Sequence, residues 1–176
     1  MHSCGRIPCV VTHTKDSPSV ENPLPTETAI HRRVNDARAG RDPTVLGRCA
    51  SGWAVFGHQQ FVQGYLLLLP DPVVPDLNSL TPERRSQFLL DMSRLGDALL
   101  RTTSPLRINY AIYGNLEPAL HAHVIPRYRH EPEHLRTQQP WAYDWNAAPA
   151  FDAAASSGLI KSLRAELAVL GTLRTP

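Results

Sequence analysis

The stretch Leu120-His121-Ala122-His123-Val124-Ile125-Pro126-Arg127 constrains the fold more tightly than any other part of the chain. Side chains alternate along a β-strand, so Leu120, Ala122 and Val124 turn toward a core while His121, His123, Ile125 and Arg127 share the opposite face. The pattern predicts a strand with one buried side, and therefore a sheet around it. It also sets the α-carbons of His121 and His123 about 7 Å apart, near enough for both imidazoles to touch one small anionic group.

A His-x-His pair admits three readings. The first is two solvated side chains on an outer face. The second is a metal site, which needs further ligands; neither a Cys-x-x-Cys nor a His-Glu-x-x-His pattern is present, so no metal ligand is assigned. The third is covalent catalysis, in which a neutral imidazole attacks phosphorus and becomes a nucleotidyl-histidine. That chemistry requires donors for the developing negative charge, and the flanking sequence offers them.

Upstream runs Arg107-Ile108-Asn109-Tyr110-Ala111-Ile112-Tyr113-Gly114-Asn115, an alternating strand that breaks at a Gly-Asn turn pair. The two strands read as an antiparallel pair joined by a short connection. Asn115 falls near the entrance to the histidine strand, where its amide can donate to a phosphate oxygen or simply serve the turn. Arg127 and Arg129 add positive charge on the histidine side.

At these residues the chain resembles the histidine triad family, whose signature is His-x-His-x-His followed by two apolar residues, often with Pro-Arg after them. Matching through Val124-Ile125-Pro126-Arg127 puts His121 on the central, nucleophilic histidine and His123 on the last. Ala119 stands where the family has its first histidine, which supports the nucleophile. Keeping His123 where the transferase branch has glutamine aligns the chain with the hydrolase side. The likeness extends to Ser51-Gly52-Trp53-Ala54-Val55-Phe56 and Gln63-Gly64-Tyr65-Leu66-Leu67-Leu68-Leu69-Pro70, which look like the family's central strand pair. Gly57 stands where relatives often carry a ribose-binding Asn or Asp.

The resemblance implies an α+β fold, an antiparallel sheet covered by a helix. It implies a nucleotide hydrolase of the nucleoside phosphoramidate or dinucleoside polyphosphate type, with His121 and His123 catalytic and Asn115, Phe56 and Arg127 binding substrate. No cofactor is required at the nucleophile, although a polyphosphate substrate can carry magnesium. A homodimer is expected. Ala119 and Gly57 also motivate a rival, a nucleotide-binding protein with weakened catalysis; a metal-dependent enzyme using the His-x-His pair is the other alternative.

Around this centre the chain divides into a leader (1–25) rich in Pro, Ser and Thr, a domain (26–128) and a C-terminal extension (129–176). Ala29, Ile30, Val34 and Ala37 recur at helical spacing before Gly40. A second helix is predicted from Thr81-Pro82-Glu83, with Thr81 as N-cap, Pro82 in the first turn and an apolar stripe of Phe88, Met92, Leu95 and Leu99. In the extension, Trp141, Tyr143 and Trp145 either cover the site or anchor a surface segment. A last amphipathic helix over 158–170 carries Leu159, Leu163, Leu167 and Leu170, and packs on its own domain or on a partner.

The chain's 176 residues suffice for one domain with a substantial core. A formal charge of +2 gives no argument for nucleic-acid binding. The longest apolar string, 65–69, is far too short to span a membrane, and no secretory signal is recognisable, so a cytoplasmic protein is expected. Cys4, Cys9 and Cys49 do not suggest a disulfide framework. Cys4 and Cys9 could reach a metal together with a distant histidine such as His31; the alternative is free thiols in a mobile tail.

Overall fold

The computed structural model describes residues 27–174. The expected leader, with Cys4 and Cys9, lies outside the described residues. The first helix, α1 (Ala29–Arg38), begins at a reciprocal cap: the Thr28 hydroxyl accepts from the His31 amide at 3.3 Å, and His31 Nδ1 accepts from the Thr28 amide at 3.2 Å. His31 is thereby committed to the helix start. Ile30, Val34 and Ala37 form the buried stripe, and Gly40 follows the helix at φ 68°, a conformation that favours glycine.

Five strands follow: β1 (Val45–Arg48), β2 (Gly52–Phe56), β3 (Leu66–Pro70), β4 (Arg107–Ile112) and β5 (Ala122–Arg127). They form one antiparallel sheet in the order β1-β2-β3-β5-β4, with His123 opposite Leu67 of β3 and Ala111 of β4. The connection 113–121 is longer than a tight hairpin. Its end is tied elsewhere, since the Leu120 amide donates to the Val74 carbonyl at 2.8 Å.

Between β3 and β4 runs α2 (Pro82–Thr103), capped by the Thr81 hydroxyl on the Arg84 amide, with Phe88, Leu95 and Leu99 buried and Met92 partly so. The same helix buries Asp91, whose carboxylate accepts from the Ser51 amide and hydroxyl and from the Gln87 side chain. Those three donors make the burial tolerable.

After β5 come a short helix, α3 (Glu133–Arg136), and the last helix, α4 (Ser157–Val169). Leu163 and Leu167 of α4 enter the core beside α2, and Arg164 Nε donates to the Leu46 carbonyl at 2.8 Å. The extension's helix thus packs on its own domain. It shares one face of the sheet with α2, over Ala54, Phe56, Leu66, Leu68, Ala122 and Val124. The other face, carrying Val55, Leu67, Leu69 and Ile125, is covered by α1 and by aromatic residues of the extension. Two covered faces explain why all five residues of β3 are buried.

Cys49 lies in the core, where burial pushes its thiol up to about 12 and leaves it unreactive. Among the described residues no helix is long and apolar enough to cross a membrane.

Candidate active site

The histidine face of β5 opens onto a cavity of about 570 Å³. His121 and His123 form its floor, their ring centroids 4.8 Å apart. Asn115, Leu116 and Glu117 of the β4–β5 connection form one wall, and Tyr113, Trp141 and Trp145 supply aromatic surface on the others. Such a mixture of apolar rings and a few convergent polar groups suits a small organic ligand with one polar centre.

His121, only 8% exposed, precedes the first residue of β5. Its Nδ1 lies 2.8 Å from the carbonyl oxygen of Ala119. A carbonyl only accepts, so Nδ1 carries the hydrogen and a neutral ring has its lone pair on Nε2. The connection is braced in turn by Glu117, whose carboxylate accepts from the Ala119 amide at 3.2 Å and from the Ala29 amide at 3.0 Å. A carboxylate at the first amide of α1 is also favoured by the helix dipole.

His123 is held from the other direction. Its Nδ1 is 2.6 Å from the Tyr65 hydroxyl, with the two rings within 5° of parallel. Burial, and then the neighbouring His121, bring its pKa down from 6.5 to about 4, so the ring is neutral at physiological pH.

Asn115 lines the cavity wall, on the exposed connection. Two other expected substrate contacts do not reach it. Phe56 pairs with Leu66 and faces α2 and α4, stacked on Phe151 at 4.7 Å. It belongs to the opposite side of the sheet from the histidines. Arg127 shares their face but is only 4% exposed and is paired with Glu131, and it also donates to the carbonyls of Gln138, Leu135 and Arg136. Its charge holds the extension in place and is not presented to the cavity.

The extension makes both contributions considered for its aromatic cluster. Tyr143 anchors it through Glu131, and Phe61 packs against both Tyr143 and Trp145. Trp141 comes within 5.6 Å of His123, centroid to centroid, and meets Tyr113 at 4.8 Å. Among the described residues no group of three or more His, Cys, Asp and Glu side chains is arranged to hold a metal ion.

Residues 45–130 match the model of the HIT domain family. The chain carries a HIT domain. The match ends before most of the extension, so Trp141, Trp145 and α4 lie outside the matched segment. Among solved structures, a histidine triad protein from Bradyrhizobium japonicum is 25% identical, covering 74% of this chain and 94% of the other, with a TM-score of 0.61. A histidine triad protein from Marinobacter aquaeolei shares the fold at 19% identity and a TM-score of 0.66, covering 81% and 98%. A hypothetical histidine triad nucleotide-binding protein from Sulfolobus tokodaii does so at 12% and 0.60, covering 78% and 91%. No curated protein sequence matches the chain.

Tyr65 and Glu117 were not among the expected site residues. Tyr65 lies at the start of an apolar run that reads simply as core, and its contact with His123 depends on the register between β3 and β5.

Proposed function

We propose that this HIT protein is a nucleotide hydrolase that works through a nucleotidyl-histidine, with a nucleoside phosphoramidate or dinucleoside polyphosphate as substrate. The observation that carries the reading is the 2.8 Å hydrogen bond between His121 Nδ1 and the Ala119 carbonyl, which in a neutral ring puts the lone pair on Nε2. Nε2 attacks phosphorus, the bond to the leaving group breaks, and the leaving group departs with its electron pair. Water then attacks the same phosphorus, the P–N bond breaks, and a nucleoside monophosphate is released. His123 and Asn115 donate to the non-bridging oxygens as they gain charge. Trp141, Trp145 and Tyr113 offer a stacking surface for a planar group of the substrate.

The nucleophile needs no metal in this scheme; a polyphosphate brings its own magnesium. The proposed setting is cytoplasmic, and the proposed assembly is a homodimer. The reading of a binding protein with weakened catalysis drew on Ala119, but the backbone carbonyl of that same residue orients the nucleophile.

The test is hydrolysis of diadenosine polyphosphates and an adenosine phosphoramidate by wild-type and His121→Ala protein, with and without chelator. Chelator-resistant turnover of the phosphoramidate that disappears in the variant is the expected result. Bound nucleotide without turnover of any substrate would overturn the hydrolase reading.

A further inference from the structure

Resting on the reading of His121 as the nucleophile, we propose that Tyr65 is a positioning residue that fixes His123 as the tautomer with its hydrogen on Nε2. The two imidazoles then present complementary nitrogens to the cavity. His121 offers a lone pair, and His123 offers a hydrogen.

The Tyr65 side chain is buried against Phe61 and Trp145, and its hydroxyl is 2.6 Å from His123 Nδ1. Among the described residues that nitrogen is the one hydrogen-bond partner of the hydroxyl. A phenolic hydrogen buried without an acceptor is costly, so O–H donates and Nδ1 accepts. A neutral imidazole accepting at Nδ1 must carry its hydrogen on Nε2. The opposite tautomer would set N–H against O–H or turn the phenolic hydrogen into aromatic surroundings. Burial acts in the same sense on both partners, holding the tyrosine protonated and the histidine neutral.

The backbone around Gly57 is shaped for this ring. A β-carbon built there would lie 2.3 Å from two ring carbons of Tyr65, closer than any side chain tolerates. The Gly57 amide donates to the Tyr65 carbonyl at 3.0 Å, and the Gln60 side chain donates to the same oxygen at 3.0 Å. Glycine at a position where the resemblance places a ribose-binding side chain therefore makes room for Tyr65.

The tautomer has a chemical consequence. An imidazole with hydrogen on Nε2 cannot compete with His121 for phosphorus, but it can donate to an oxygen on that phosphorus. Tyr65 thus assigns one histidine as nucleophile and the other as donor, although their rings are adjacent.

The test is nitrogen NMR of ¹⁵N-histidine-labelled full-length protein at neutral pH, wild type and Tyr65→Phe, without ligand. In the wild type His123 is expected to show an unprotonated Nδ1 and a protonated Nε2, with His121 the reverse. In Tyr65→Phe, which keeps the ring, His123 should become a mixture of tautomers while His121 is unchanged. Turnover of an adenosine phosphoramidate should fall about tenfold in kcat, with KM altered less, as expected for one lost hydrogen bond acting through His123. A wild-type His123 protonated on Nδ1, or a tautomer unchanged by Tyr65→Phe, would overturn the proposal. The NMR measurement needs no turnover, so an inactive wild-type protein with the stated tautomers would count against the hydrolase reading alone.

Discussion

The carbonyl of Ala119 fixes the ring of His121 from two residues away, at 2.8 Å from Nδ1. A backbone group therefore orients the proposed nucleophile, and the side chain at position 119 is not needed for it. His121→Ala removes the attacking nitrogen and should lower turnover about a thousandfold or more while preserving the fold. His123→Ala should be less severe, since a donor is lost and not the nucleophile. Steady-state kinetics with trapping of an acid-labile, base-stable nucleotide adduct would check both; full activity in His121→Ala would refute the covalent route.

Placing a histidine at Ala119 is not expected to raise the proposed activity. Ala119 is fully buried, within the cluster that includes Tyr65, Ile125 and Tyr128. An imidazole there must displace packed side chains, at a cost of about 1–3 kcal/mol. Urea unfolding of Ala119→His should show that loss, and kcat should not rise. A variant as stable as the wild type with higher kcat would mean that the interior accommodates the ring.

The pH dependence of stability follows from His123. Its pKa is about 4 in the folded protein against 6.5 as the ordinary value, because burial first and His121 second disfavour its charge. Between these values the unfolded chain binds a proton that the folded one refuses, so stability rises with pH across that window. The contribution is fully present above about 6.5 and declines as the pH falls toward 4, by up to about 3 kcal/mol. Unfolding at pH 7 and pH 4.5 should show a smaller acid penalty in His123→Gln than in the wild type. Equal penalties would mean that His123 is free to protonate in the folded state.

Much of this architecture is legible in local pattern. The alternation along 120–127 predicts that both histidines share a face, and the spacing of Ile30, Val34 and Ala37 and the cap at Thr81 mark α1 and α2. What escapes the pattern depends on contacts made across the sheet or after the chain turns back. Phe56 and Val55 are both apolar and the sheet is covered on both faces, so period alone could not say which of them faces the histidines. Tyr65 meets His123 only through the β3–β5 register, and Trp141 joins the cavity only because the extension folds back across the sheet. Arg127 was legible as a cation on the histidine face. Its neutralisation by Glu131 was not, because residues four apart beyond a strand end meet only if the chain reverses.

That reversal is the basis of a last prediction. Arg127 and Glu131 are both buried, and Glu131 also accepts from the Tyr128 amide and the Tyr143 hydroxyl. Glu131→Ala leaves a buried guanidinium without its counter-charge and should cost about 3–5 kcal/mol. Since Tyr143 is released as well, Trp141 and Trp145 should lose their fixed place at the cavity, and KM should rise more than kcat falls. Replacing a buried ion pair with apolar residues often restores stability. Here Arg127→Met combined with Glu131→Leu should fail to do so, because Arg127 also satisfies the carbonyls of Arg136 and Gln138, which would be left without donors. Thermal unfolding of the single and double variants distinguishes the two cases: recovery in the double variant would reduce the cluster to a simple ion pair, whereas continued loss would identify Arg127 as the post on which the extension, and with it the aromatic wall of the site, is hung.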